Sequence, residues 1–546
     1  MKRFIEEHKN KRYDIIVIGG GITGAAVAYD AASRGYSVAL VEKNDFGGAT
    51  SAATSKMIHG GLRYLANFEL GLVRESLKER KILENIAPNF IYPMPIMITN
   101  NKQIISNRKW IIKTGMVLYD ILSFDKGFTW DKSKRLPLHR TVSIEDVLKM
   151  EPNVKKEGLT GASIYYDCIS IFPERLTLAF IKSAVQHGAD VSNYAKVEDF
   201  IFGKGKQVSG VIVRDQLTKK SKEIEGDIII NCGGPWADII LGIAHKTGSE
   251  QHIRRSEGIH IITKKLVNDH IVGSITPSGR HFFLIPWRGH SLIGTTDKEY
   301  IGSPDSWRVT KQSIMELIDE VNSSFGDGSI IRYEDIIHAY GGLRPLVEDQ
   351  TETVYESSRK YEIYDNAKDG LEGLITVEGG KYTTSRNLAE QAVNIIQHKL
   401  KKPRKKVSTH KQFLYGSDID DMTGYLNRFV KENKGFQKNT LTYLASNYGT
   451  EASRVLDIAR GNKELTAPMN ADGEILAQVL FAIRHEMAKT LGDIIFRRTG
   501  FGTLGNPGKE VLNKIAKVAA KELKWNESRI KKEVSEVTER LKIPIN

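Results

Sequence analysis

Two cysteines, Cys168 and Cys232, are all the chain has in 546 residues, and they form no C-x-x-C pair. That excludes a disulfide framework and a cysteine zinc site, and it suits a reducing cytoplasm with both thiols buried as small apolar groups. No uncharged apolar run reaches the roughly 18 residues of a spanning helix. The opening MKRFIEEHKNKR lacks an apolar core, so no secretory signal is expected. Clustered basic residues interleaved with aromatics are also missing. The formal charge of +13 is dispersed, apart from Lys401 to Lys406, which argues against nucleic acid as a partner. An anionic substrate, an anionic membrane surface or simply a basic proteome remains to explain that charge. No metal-ligand spacing occurs.

What is present centres on Tyr13 to Glu42, YDIIVIGGGITGAAVAYDAASRGYSVALVE. Ile15 to Ile18 reads as a buried parallel strand. Gly19, Gly21 and Gly24 follow in G-x-G-x-x-G spacing. An Ala-rich helix, about Thr23 to Arg34, is expected to end at Gly35, and a strand from Ser37 to Val41 stops at Glu42. Strand, glycines, helix, strand and acid in this order predict a dinucleotide site. Gly19 permits the turn, Gly21 admits a pyrophosphate, and Gly24 lets helix and strand pack closely. The helix N-terminus favours the phosphates, and Glu42 a ribose hydroxyl. The same carboxylate argues against a 2′-phosphate.

The loop Lys43 to Ser55 is small and polar, with Thr50, Ser51 and Ser55 able to donate to phosphate oxygens. Lys56 to Leu65, KMIHGGLRYL, then puts His59, Arg63 and Tyr64 beside Gly60 and Gly61. Arg344 stands in GGLRPL, where its planar fork suits a phosphate. EGGKYTT precedes a helical pattern from Ser385 to Leu400, which makes a second anion-binding spot with Lys381 beside it.

With GGGITGAAVAYDAASRG, TSAATSKMIHGGLRYL, NCGGPWAD, FFLIPWRGHSLIGTTD, GGLRPL and EGGKYTTSR in hand, the chain resembles the flavin-dependent glycerol-3-phosphate dehydrogenases over nearly its whole length. The resemblance implies an α/β fold. It has a Rossmann-type FAD-binding domain, a mixed-sheet substrate domain and an α-helical C-terminal domain. Boundaries are expected at 1–95 for the FAD domain, with 160–245 and 335–400 returning to it. The substrate domain takes 96–159 and 246–334, and the helical cap 407–546. FAD is expected to contact Gly19, Gly21, Thr23, Gly24, Glu42, Lys43, Thr50, Ser51, Ser55, Lys56, His59, Gly60, Val197, Gly233, Gly380, Lys381 and Thr383. Arg63, Tyr64, Thr295, Thr296, Arg344 and Lys381 are expected at sn-glycerol 3-phosphate, with Arg63, Arg344 and Lys381 also serving the chemistry. His59 and His260 are both candidate bases. His59 is preferred for its place in the flavin-adjacent loop, and a cationic cluster would keep an imidazole neutral.

Residues 107–124 form a short, widely apolar helix pattern with Arg108, Lys109 and Trp110 at its start. It suits a helix lying in a membrane interface, and the alternative is a helix buried in the substrate domain. The reading is therefore oxidation of sn-glycerol 3-phosphate to dihydroxyacetone phosphate, with electrons passed to a membrane quinone. The rival is an oxidase that passes them to oxygen and releases peroxide. The expected location is cytoplasmic, on the inner face of the membrane. A homodimer is kept open, since no pattern sets the oligomeric state. Beyond the basic linker at 401–406 the chain turns helical, with one helix expected from Ile475 to Phe496.

Overall fold

The structure is a computed structural model that describes residues 1–7, 11–65, 67–102, 108–246, 253–275, 280–326, 328–347, 360–402 and 406–545. The side chains of Arg63 and Lys206 lie outside that description.

The first strand, Tyr13–Ile18, forms because its β-branched residues have apolar partners on both faces; Ile15, Ile16 and Val17 are fully buried. It pairs in parallel with Val38–Val41 on one side and with Ser221–Asn231 on the other. Sheet order continues outward through Leu374–Gly379 and Tyr361–Asp365 on one edge, and through Asp190–Ser192 on the other. The helix Ile22–Ser33 covers this sheet. Its alanines let it pack tightly against the helices Pro173–Gln186 and Ser385–Lys399. Gly35, at φ +85°, follows the helix end as expected.

A second, mixed sheet faces the first. Its order runs Arg254–Thr263, His290–Gly294, His281–Trp287, Ile271–Ile275, Ile91–Asn101, Leu159–Ser170, Met57–Ile58, with Ile336–Leu346 added antiparallel to Arg254–Thr263. Leu159–Ser170 and Ile336–Leu346, which the sequence reading returned largely to the nucleotide domain, are strands of this second sheet. Ile91–Asn101 carries Pro93 and Pro95 without breaking. Its neighbour Ile271–Ile275 pairs only from Ile96 onward, so that edge is open where the prolines fall.

Residues from 422 onward form helices, beginning with Met422–Glu432. The single helix expected over Ile475 to Phe496 is two elements. Ala477–Glu486 ends at Met487, which takes the left-handed conformation at φ +61°. Thr490 and Asp493 then form a reciprocal capping box that starts a new turn, and Ile494–Arg498 is a π turn. Among the described residues no helix is long and apolar enough to cross a membrane.

Candidate active site

A cavity of about 920 Å³ lies between the two sheets. One half is built on the glycine turn. Gly19 holds φ +105°, and a Cβ there would meet the Cys232 carbonyl oxygen at 2.5 Å. At Gly24 a Cβ would stand 1.9 Å from the Gly19 carbonyl oxygen, so helix and strand can meet only through glycine. A Cβ at Gly21 would meet Ser51 Oγ at 3.2 Å and otherwise open space. Ser51 Oγ accepts from the Ile22 amide at 2.9 Å, leaving the next amides of the helix N-terminus to the cavity. Glu42 accepts from the Gly20 amide at 2.7 Å and the Asn44 amide at 2.8 Å, which fixes its carboxylate at the cavity wall. Open space above glycine, a helix N-terminus and a fixed carboxylate fit an adenine dinucleotide.

Lys43, Thr50, Ser55, His59, Val197, Gly233, Gly380, Lys381 and Thr383 also line the cavity. Lys43 Nζ pairs with Asp305 at 2.8 Å and lies 4.0 Å over the Trp236 ring, whose Nε1 donates to the same Asp305 at 3.0 Å. Thr50 Oγ1 donates to the Leu343 carbonyl at 2.6 Å and joins the two halves. Three expected contacts do not line the cavity. Gly24 is inside the helix–strand seam. The Gly60 amide donates to Tyr119 Oη at 3.1 Å. Lys56 is buried, with its ammonium 2.7 Å from Glu174 and over the rings of Trp287 and Tyr340. That ion pair turns the ammonium to Glu174, and Lys56 is not part of the cavity lining.

The second half holds the substrate candidates. Arg344 reaches the cavity with its guanidinium already fixed. Nη2 donates to Thr295 Oγ1 at 2.7 Å and to the Thr296 carbonyl at 3.1 Å, and Nη1 stands 3.5 Å from Asp297. The group packs over Gly258, where a Cβ would come within 1.9 Å of Nη2. Thr295 lines the cavity; Thr296 does not, since its hydroxyl accepts from the Ile259 amide at 3.0 Å. Lys381 Nζ donates to Ser76 Oγ at 2.5 Å and lies 4.7 Å over the Tyr64 ring, and both Lys381 and Tyr64 line the cavity. The Arg63 side chain lies outside the described residues.

His260 is buried and lines the cavity, with Nε2 2.8 Å from Ser55 Oγ and its ring stacked on Tyr340 at 5.0 Å. Burial first, then the charges of Arg344 and Lys56, hold its imidazole well below the usual range, so it is neutral at pH 7. Nδ1 is buried with no hydrogen-bond partner among the described residues. Sequence reasoning missed Asp297, Asp305 and Tyr340. Asp297 closes the motif GTTD and was within reach; nothing along the chain ties Asp305 to Lys43. Among the described residues no cluster of His, Cys, Asp or Glu could hold a metal.

The helix Lys109–Leu122 lies against one end of the cavity, where Trp110, Ile111, Ile112 and Leu118 line it. Its outer side leaves Trp110, Val117 and Ile121 exposed, continued by Phe124 and Phe128. Asp120, on the same helix, binds His139 at 2.7 Å and Lys126 at 2.5 Å.

The family model of FAD dependent oxidoreductases matches residues 14–386, and that of the C-terminal domain of alpha-glycerophosphate oxidase matches residues 407–530. A glycerol-3-phosphate dehydrogenase of Synechocystis sp. is 34% identical over 550 residues, covering 98% of each chain. An aerobic glycerol-3-phosphate dehydrogenase of Bacillus subtilis is 34% identical over 509 residues, 91% of this chain and 89% of that one. A solved glycerol-3-phosphate dehydrogenase from Bacillus halodurans, complexed with FAD, superposes with a TM-score of 0.79 at 28% identity, over 99% of this chain and 97% of that one. Similarity to an L-alpha-glycerophosphate oxidase from Mycoplasma pneumoniae, at TM-score 0.51 and 16% identity, is one of fold.

Proposed function

The chain belongs to the FAD-dependent glycerol-3-phosphate dehydrogenase family, and we propose that it oxidises sn-glycerol 3-phosphate to dihydroxyacetone phosphate and passes the electrons to a membrane quinone. FAD, when bound, supplies the oxidant that takes the hydride from C2 of the substrate.

The remaining work falls to side chains. Arg344 donates to the substrate's phosphate or hydroxyl oxygens from a guanidinium that five neighbouring atoms already orient, so little ordering is left to the binding step. Lys381 adds a second cation, and Tyr64 and Thr295 shape the pocket around the triol. The observation that carries the reading is the buried imidazole of His260, 2.8 Å from Ser55 Oγ on a cavity wall that also holds Arg344. Nε2 takes the C2 hydroxyl proton, directly or through Ser55 Oγ at 2.8 Å, while the hydride departs. His59, in the flavin-adjacent loop, is the alternative acceptor.

The exposed apolar side of Lys109–Leu122, flanked by exposed Arg108, Lys109 and Lys113, supports docking on an anionic membrane. The same helix supplies an apolar wall through which a quinone could approach. One observation favours the oxidase reading: the C-terminal match to alpha-glycerophosphate oxidase. Reducing the purified protein with glycerol 3-phosphate, then comparing quinone reduction with peroxide release, separates the two.

A further inference from the structure

The segment Glu42 to Ser51 forms the rim of the dinucleotide half of the cavity, and its anchor comes from the far end of the chain. Asp45 lines the cavity yet is only 2% exposed. Four hydrogen bonds converge on its carboxylate. Arg498 donates through Nη1 at 2.8 Å and Nη2 at 2.7 Å, Arg497 through Nε at 2.5 Å, and Asn193 Nδ2 at 2.9 Å. The two arginines stand 452 and 453 residues away in sequence. Against the penalty of burial, they hold the carboxyl well below its usual range.

The local structure exists to deliver both arginines to one carboxylate. The helix break at Met487, the Thr490–Asp493 capping box and the π turn Ile494–Arg498 set them there. Arg497 also donates to Asp493 at 2.6 Å, which Tyr194 Oη approaches at 2.6 Å, and Arg498 Nε donates to the Glu486 carbonyl at 3.0 Å. Two buried carboxylates thus balance two buried guanidinia, a fully paired set of the kind a low-dielectric interior tolerates. Asn44 and Glu42 are held from the other side, where their carbonyls accept from the Tyr194 and Ala195 amides at 2.7 Å each. Gly47 N donates to the Gly20 carbonyl at 2.9 Å, so a displacement of Asp45 reaches the glycine turn directly.

We propose that the helical C-terminal domain acts as a latch on the FAD-binding loop, with Arg498 and Arg497 as positioning residues that set how tightly and how long FAD is held. Both act through Asp45, whose oxygens are taken up by the two guanidinia and the Asn193 amide and so are turned to those groups rather than to a ligand. The proposal rests on FAD as cofactor and is independent of which substrate is oxidised.

The test is FAD binding to the full-length chain stripped of flavin, followed by flavin fluorescence. Arg498→Lys should weaken FAD affinity at least tenfold and speed its release. Far-UV circular dichroism should stay unchanged, and flavin reduction by glycerol 3-phosphate should return when FAD is in excess. Arg288→Lys is the comparison. Arg288 makes a buried pair with the same domain, its Nε donating to Asp472 at 2.9 Å and its Nη2 standing 3.4 Å from Glu474, and it bonds neither the loop nor the two latch arginines. It should lower thermal stability and leave FAD release at the wild-type rate. Should Arg498→Lys give no soluble protein, Arg497→Lys, which retains the cation, is read in the same way. Wild-type FAD affinity and release in the Arg498→Lys or Arg497→Lys protein, or equal loosening by Arg288→Lys, would overturn the latch.

Discussion

His260 Nε2 lies 2.8 Å from Ser55 Oγ, on the cavity wall that also holds the Arg344 guanidinium. The ring is neutral because burial and two nearby cations oppose its protonation, so it can accept a proton where an ordinary histidine would begin to be charged. The rate of flavin reduction should therefore stay flat as pH falls from 8 through about 6.5, the ordinary histidine value. His260→Gln should lower that rate by about 10²- to 10⁴-fold, the range of general base catalysis, with FAD still bound. A near wild-type rate would move the role to His59, for which His59→Asn is the matching variant. Stability carries the opposite signature. The unfolded chain binds the proton near pH 6.5 and the folded one does not, so acidification through that range favours unfolding. His260→Gln should remove that part of the slope.

Arg344→Lys keeps the charge and loses the planar fork. The lysine cannot at once hold Thr295, the Thr296 carbonyl and a substrate oxygen. KM for glycerol 3-phosphate should rise about tenfold or more, a loss of the order of one charge-assisted bond. Flavin content should not change. An unaltered KM would take Arg344 out of substrate binding.

Lys56 gives a contrasting case. Lys56→Met leaves Glu174 buried without its cation and should cost about 3–5 kcal/mol of stability, read by denaturant unfolding. Lys56→Met combined with Glu174→Gln should recover much of that loss. FAD affinity should hardly move; a large fall in affinity would return Lys56 to the cofactor.

The strand–glycine–helix–strand–acid order was legible because each residue's job there is local: a turn, a close approach, a helix end. His260, Arg344 and Lys381 were readable as candidates from their motifs. Their setting was not: Ser55 and Tyr340 reach His260 from a loop and a strand, and Ser76 reaches Lys381 from a helix, all far along the chain. Lys56 shows the limit of a motif reading. It stands in the right loop, but its positive φ and the distant Glu174 turn it into the wall. The unbroken apolar pattern from Ile475 to Phe496 likewise hid a stop, since Met487 rather than glycine or proline takes the left-handed cap.

For the helix Lys109–Leu122, Trp110→Ser and Ile121→Ser should each weaken binding to anionic vesicles by about tenfold or more, the worth of one buried large apolar side chain. Both proteins should retain anaerobic flavin reduction. Vesicle binding that is unchanged in the double variant would place the membrane contact elsewhere or nowhere.

The central claim, that this cavity brings a phosphorylated triol to FAD, is tested most directly by the visible spectrum of the purified yellow protein without oxygen. Stoichiometric sn-glycerol 3-phosphate should bleach the flavin band and yield one dihydroxyacetone phosphate per flavin. A band that stays oxidised with excess glycerol 3-phosphate, while dithionite still reduces it, would contradict the account.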